Sequence, residues 1–223
     1  MTSQIKYRQG ADQVSELTTN RLSIYLRCLD HLRAHGVTTV SSQSLADQFH
    51  LNAAQIRKDL AWFGEFGVRG VGYSVDGLAA HLRQILGLGE PIRAAVIGAG
   101  NLGQALADYP GFPRDGFEPV ALFDRASSKV GEQSRGGVPI YHVRRLPAIV
   151  RRDGIRIAMI AVPASAAQQV VNLVVAAGLR AILNFAPATV AAPDGVKVKN
   201  VDLTVSLEGL AFHLANTADA KSR

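Results

Sequence analysis

Ile92-Arg93-Ala94-Ala95-Val96-Ile97 runs directly into Gly98-Ala99-Gly100-Asn101-Leu102-Gly103, an apolar stretch closed by a glycine turn. G-x-G-x-x-G after a strand opens a dinucleotide-binding βαβ unit, and each glycine has its own reason. The first permits the tight strand-to-helix turn, the second lets backbone approach a pyrophosphate, and the third allows the helix to pack closely on the sheet. Twenty-one residues beyond Gly103, Asp124 ends a second apolar run, Val120 to Phe123. A carboxylate there can accept the hydroxyls of an adenosine ribose, which favours NAD over NADP. The predicted fold class is α/β, with a doubly wound parallel sheet.

The turn begins only at residue 98, so a separate N-terminal segment needs its own explanation. With 223 residues, 48% apolar and 19% charged, the composition is that of an ordinary globular protein and fits two small domains. A formal charge of +6 is compatible with a polyanionic partner. The basic residues are not confined to one block, since Arg144, Arg145, Arg151, Arg152 and Arg156 lie in the second half. One cysteine, Cys28, excludes an intramolecular disulfide framework, and no C-x-x-C or clustered His/Cys spacing points to a metal. Cys28 falls on an amphipathic helix pattern and reads as a small buried thiol. Met1 to Glu16 is polar without an apolar signal core, and the apolar stretch from Val170 to Leu183 is broken by Asn172 and Arg180. Neither export nor membrane spanning is expected, and the expected location is cytoplasmic.

From Asn20 to His35, Leu22, Tyr25, Leu26, Leu29 and Leu32 recur at three- and four-residue spacing, one face of a helix, with Arg27 off the stripe. Ser41 and Ser42 are possible caps for a short second helix carrying Leu45, Ala46 and Phe49 and ending near His50. Asn52 followed by Gln55 resembles a capping arrangement for a third helix with Ile56, Leu60 and Phe63 on its apolar face. Gln55, Arg57, Lys58 and Asp59 are expected to face outward. Arginine can fork onto guanine, glutamine onto adenine, and lysine can neutralise phosphate, which is what a major-groove reader needs. Gly64 to Tyr73 places glycines among short apolar residues and predicts a hairpin. Such a wing can carry Arg69 into a minor groove, whose negative potential attracts arginine.

Gln55-Ile56-Arg57-Lys58-Asp59-Leu60, Arg69-Gly70-Val71-Gly72-Tyr73, Gly98 to Gly103, Asn184-Phe185-Ala186-Pro187 and Asn200-Val201-Asp202-Leu203 stand in the order found in redox-sensing transcriptional repressors of the Rex family. The chain resembles that family from about Asn20 to Asn216. The resemblance implies a winged-helix domain at 1–75, a helical connector at 76–90, a Rossmann domain at 91–203, and a C-terminal helix and tail at 204–223 exchanged between subunits of a homodimer. It implies a repressor that holds an inverted-repeat DNA operator when oxidised or unliganded and is released by NADH. NADH and NAD+ are then effector ligands that are not turned over, and there is no catalytic residue.

By position, the resemblance assigns Gln55, Arg57 and Lys58 to the major groove and Arg69 to the minor groove. Ser42, at the start of the second helix, joins that DNA-contact set. Gly98, Ala99, Gly100, Asn101, Leu102 and Gly103 would hold the pyrophosphate and Asp124 the adenosine ribose, with Arg125 and Lys129 beside it as candidates for a ligand phosphate. Val162 and Pro163, and Asn184, Phe185, Ala186 and Pro187, would line the nicotinamide half. Arg27, Tyr109 and Asp202 match an ionic and hydrogen-bonding switch across subunits. Two departures stand out. Ala61-Trp62 replaces the usual Ser-Tyr, and Arg125-Ala126-Ser127-Ser128 replaces the usual second acid after Asp124.

Other classes have to be weighed. An NAD-dependent dehydrogenase with an accessory N-terminal domain needs a substrate pocket and a placed acid or base. Little chain remains after Asp202 for one, and His81, His142 and His213 are scattered. A CoA-binding module uses a similar glycine turn but must satisfy a 3′-phosphate, which Asp124 disfavours. A nucleotide-dependent oligomerisation scaffold leaves Gln55, Arg57 and Lys58 without a role.

Overall fold

The stripe from Leu22 to Leu32 folds as α1 (Glu16–Ala34), capped by Ser15, whose hydroxyl accepts the Thr18 amide, and it buries Leu22, Tyr25, Leu26, Cys28, Leu29 and Leu32. The computed structural model describes residues 14–219. The polar stretch at 1–13 and the tail at 220–223 lie outside them. Two units separate at Glu90/Pro91.

In the first unit, α2 (Ser42–Phe49) starts from Ser41 as cap and stops at His50, whose left-handed φ of 54° ends the helix. α3 (Ala53–Phe63) starts where Asn52 accepts the Gln55 amide. β1 (Thr39–Val40), β2 (Gly67–Val68) and β3 (Gly72–Ser74) form an antiparallel sheet in the order β1-β3-β2. The expected hairpin is therefore β2-β3, and β1 extends it on one side. Gly72, at φ +108°, lies so close to the Val40 carbonyl that a Cβ would stand 2.5 Å from its oxygen. α4 (Val75–Ile85) follows β3 without a gap. Its Val75, Leu78, Ala79 and Leu82 share one core with Leu22, Leu29, Leu45, Ile56 and Leu60. The segment read as a connector is thus part of the N-terminal core.

The second unit runs β4 (Ile92–Ile97), α5 (Asn101–Ala107), α6 (Gly111–Arg114), β5 (Phe117–Asp124) and β6 (Ile140–His142). A 3₁₀ turn at Val143–Arg145 then leads into α7 (Leu146–Asp153), β7 (Ile157–Ile160), α8 (Ala164–Ala176), β8 (Ala181–Asn184), β9 (Lys197–Asn200) and α9 (Leu203–Asp219). All pairs in its sheet are parallel, in the order β6-β5-β4-β7-β8-β9. Numbered within the unit this is 3-2-1-4-5-6, the Rossmann order. Both faces are covered: Ala95 and Ile97 pack with α7 and α8, while Ala94 and Val96 pack with Leu122, Ala107 and Met159. A register shift at Ala94/Ala95 leaves Val120 bulged beside Pro119, which has no amide to donate.

α9 contrasts with every other long helix. Leu203, Val205, Leu207, Leu210, Phe212 and Leu214 are each 62–74% exposed. Among the described residues no helix is long and apolar enough to cross a membrane, and no group of His, Cys, Asp or Glu could hold a metal ion.

Candidate dinucleotide crevice and nucleic-acid face

Strand order reverses between β4 and β7, so the crevice at their carboxyl ends is where such a sheet binds ligands. The glycine turn after β4 and Val162-Pro163 after β7 flank it. Gly98, at φ +104°, lies against the Ala161 carbonyl, and a Cβ there would collide with its oxygen. A Cβ on Gly103 would collide with the Gly98 carbonyl oxygen, so this glycine sets how closely α5 meets the turn. Around Gly100 nothing lies within 4 Å of a built Cβ. That open side is the approach a pyrophosphate needs. Asn101 and Leu102 follow as exposed residues of the first turn of α5.

Asp124 ends β5 against this turn. Its Oδ2 accepts the Ala99 amide at 3.0 Å and Lys129 Nζ at 3.2 Å, and its Oδ1 accepts the Ala126 amide at 2.9 Å. Burial pushes the carboxyl up, but the amides of Ala126 and Ala99 and the Lys129 ammonium outweigh it, and the net position is below the ordinary carboxylate value. A carboxylate offers about four acceptor positions. Three are taken, which leaves one for a ribose hydroxyl. Lys129 also donates to the Ala99 carbonyl at 3.1 Å, so its ammonium ties Asp124 to the turn. Arg125 is exposed beside it.

Across the crevice, Asn184 is fully buried and spends its side chain on the loop it begins. Nδ2 donates to the carbonyls of Ala186 and Ala188, both at 3.2 Å, and to Asn200 Oδ1 at 2.9 Å, while Oδ1 accepts the Ala186 amide at 3.1 Å. Asn184 and Asn200 are register partners at the ends of β8 and β9. Their bond shapes the 185–188 loop and holds Phe185 half-buried at the edge of the core that contains Met159, its amide donating to the Ile160 carbonyl at 2.9 Å, with Pro187 exposed. Val162 and Pro163 are half-buried and exposed. Tyr109 follows α5, about half exposed, its ring 5.0 Å from that of Phe112 in an edge contact. Asp202 caps α9, accepting the Thr204 amide at 2.8 Å. Arg27 is an exposed residue of α1 in the other unit.

On the N-terminal unit, Arg57 and Lys58 are exposed on α3, and Arg69 is exposed in the turn between β2 and β3. Arg57 Nη1 donates to Ser42 Oγ at 2.9 Å, which brings the starts of α2 and α3 to one polar edge. Asp59 corrects the expectation that it faces outward. It is only 4% exposed and accepts from Arg21 Nε at 2.5 Å, Arg21 Nη2 at 2.8 Å, Tyr25 Oη at 2.9 Å and Gln55 Nε2 at 2.7 Å. Burial raises the carboxyl, and the bonds from Arg21, Gln55 and Tyr25 more than reverse this, holding it below its ordinary value. Gln55 is accordingly half-buried, its amide tied to Asp59 instead of reaching back to the Asn52 amide as a two-sided capping box requires. Sequence reading missed this network because Arg21 and Tyr25 stand 38 and 34 residues away. The one local signal was the spacing of Gln55 and Asp59, four residues apart on a helix.

Comparison with known proteins agrees with both halves. Residues 13–61 match a family model described as putative DNA-binding protein N-terminus, and residues 90–188 match one described as CoA binding domain. The redox-sensing transcriptional repressor Rex of Pelotomaculum thermopropionicum is 48% identical over 91% of this chain and 94% of its own length. That of Streptomyces coelicolor is 44% identical over 90% of this chain and 77% of its own. Among solved structures, RSP in complex with β-NAD+ and operator DNA superposes with a TM-score of 0.87 at 36% identity, covering 94% of this chain and 96% of that one. RSP in complex with β-NADH does so with a TM-score of 0.81 at 35% identity, covering 94% and 98%. A helical unit with a β-hairpin wing, a 3-2-1-4-5-6 sheet with its glycine turn, and relatives of this identity over nearly the whole length together place the chain in the Rex family of redox-sensing transcriptional repressors.

Proposed function

We propose that two copies of this chain bind an inverted-repeat operator through α3 and the β2-β3 wing, and that NADH in the crevice of the second unit releases them. The dinucleotide is an effector and is not turned over. The observation that carries this reading is the presence, in one chain, of a Rossmann sheet with an open glycine turn and a helix that exposes Arg57 and Lys58 ahead of a β-hairpin. In the operator complex, Arg57 and Lys58 meet the major groove, Gln55 reads a base edge, Ser42 supports Arg57, and Arg69 enters the minor groove. Gly98 to Gly103 and Asp124 take the pyrophosphate and ribose. Phe185, with Val162, Pro163, Ala186 and Pro187, lines the ring end. Such a protein works where its operator is, in the cytoplasm.

The two nicotinamide states differ by one positive charge on the ring. A unit charge about 5 Å from a carboxylate is worth roughly 3 kcal/mol at an effective dielectric of about 20. Moving a two-state equilibrium from about 1:99 to 99:1 needs about 5.5 kcal/mol. Charge alone falls short, so NADH must also favour a closed dimer in which its neutral ring is buried against Phe185 and the Arg27, Tyr109 and Asp202 contacts are remade. Closure changes the spacing of the two recognition helices, and a symmetric operator reads that spacing. α9, with its exposed leucines, supplies the apolar surface that a second copy covers.

The test is fluorescence anisotropy on an operator selected from random duplexes, titrated with NADH, NAD+, NADPH and CoA at fixed salt, because phosphate contacts make affinity ionic-strength dependent. Release by NADH where the other three do little is the expected result. Displacement by CoA would favour the second reading, which the CoA-binding match over residues 90–188 keeps in view. Specific binding that ignores every dinucleotide would overturn the effector assignment.

A further inference from the structure

We propose that buried Asp59 fixes which way round the Gln55 amide faces the DNA and so decides the base that Gln55 prefers. The inference rests on the repressor reading above and assigns a positioning residue within it. Asp59 is saturated: Arg21 donates twice, Tyr25 once and Gln55 once, at 2.5–2.9 Å. An ionised carboxylate is an acceptor only, so Gln55 has to present its Nε2 side to it, and the opposite amide orientation would set two acceptors face to face. Asp59 cannot turn away, because Arg21 grips both of its oxygens. Arg21 is itself held through Nη2 by Thr18 Oγ1 at 3.2 Å, so the network is anchored in the first turn of α1.

With one N–H committed inward, Gln55 keeps Oε1 and a second N–H for a base edge. An acceptor beside a donor complements adenine, which offers the N6 amino group and N7 in the major groove. A flipped amide would turn Oε1 inward and offer only N–H groups, the complement of N7 and O6 of guanine. Asp59→Asn supplies that flip. Its remaining oxygen stays with Arg21, and its new amino group calls for an acceptor from Gln55.

The experiment is selection of operators from random duplexes by the full-length wild type, Asp59→Asn, Gln55→Ala and the double variant, read as base frequencies at each position. Wild type should enrich adenine at one position of each half-site. Asp59→Asn should move that position alone toward guanine, by about tenfold in the ratio of the two bases, the worth of one bidentate contact. Gln55→Ala should flatten that position, and the double variant should match Gln55→Ala. A network that merely supports the fold would lower affinity for all sequences and leave the profile where it was. The proposal is overturned if the Asp59→Asn profile equals the wild-type profile, if it changes elsewhere only, or if its change survives in the Gln55→Ala background. Should Asp59→Asn fail to fold, Gln55→Ala carries the test, and an unaltered profile overturns the proposal. Failure of the wild type to select any duplex sinks the repressor reading itself, a result distinct from all of these.

Discussion

Gly98, Gly100 and Gly103 are alike in type and differ in what a methyl group would meet. Gly100→Ala has open space and an ordinary φ of −81°, so it should melt like the wild type yet lose NADH affinity by tenfold or more, measured by calorimetry. Gly103→Ala drives a methyl into the Gly98 carbonyl and should destabilise the second unit by at least about 1–3 kcal/mol, the ordinary cost of overpacking, before ligand is considered. The spacing made these three legible in sequence, because backbone sterics and phosphate approach act within a few residues. Asp59 was not legible, since what turns it inward is a guanidinium 38 residues away. Its native carboxyl lies below the ordinary value, so its contribution to stability is complete above about pH 4 and is lost as the pH falls through that depressed value. Arg21→Ala leaves the ionised carboxylate buried and short of two donors. It should cost about 3 kcal/mol at pH 7, the low end for a broken buried pair because Arg21 is 32% exposed. The gap to wild type in urea midpoint should close as both are acidified.

The elements show the same division between local and distant causes. α1, α2 and α3 begin at Ser15, Ser41 and Asn52, each accepting the amide three residues on. Two of these caps are legible in the sequence, Ser41 by residue type and Asn52 by its spacing to Gln55. Asn52→Ala should therefore destabilise the first unit by about 1 kcal/mol, seen as a lower denaturant midpoint with an unchanged slope. β1 was missed, since a two-residue strand has no periodicity to read and exists only because β3 offers it an edge. α4 is expected as a helical connector and belongs instead to the core of the first unit. Its Val75, Leu78, Ala79 and Leu82 stripe indicates that one face is buried and cannot say against what. The loop at 184–187 follows β8, where strand and proline signals place a turn. That Asn184 works inward on Asn200 follows from the register of β8 and β9, which sequence does not display.

At the scale of the molecule, net charge proves a poor guide to which half meets DNA. Residues 1–90 carry 9 Lys and Arg against 8 Asp and Glu, whereas residues 91–223 carry 15 against 10. The proposed function therefore rests on placed side chains, the exposed Arg57, Lys58 and Arg69, and not on a basic unit as a whole. On the proposed assembly, in which a second copy covers the exposed leucines of α9, Leu207→Glu with Leu210→Glu should yield monomers in light scattering and weaken operator binding by a hundredfold or more, since a half-site alone supplies only half of the contacts. Folding of both units should survive, because neither leucine belongs to either core. Cys28 carries a different kind of consequence. It is 7% exposed on the inner face of α1, and burial pushes its thiol up, away from the reactive thiolate. Peroxide or a disulfide reagent therefore finds no handle at Cys28 in the native fold. A cell that is short of electron acceptors and a cell under oxidant attack are different emergencies, and the chain's single cysteine is kept out of reach of the second.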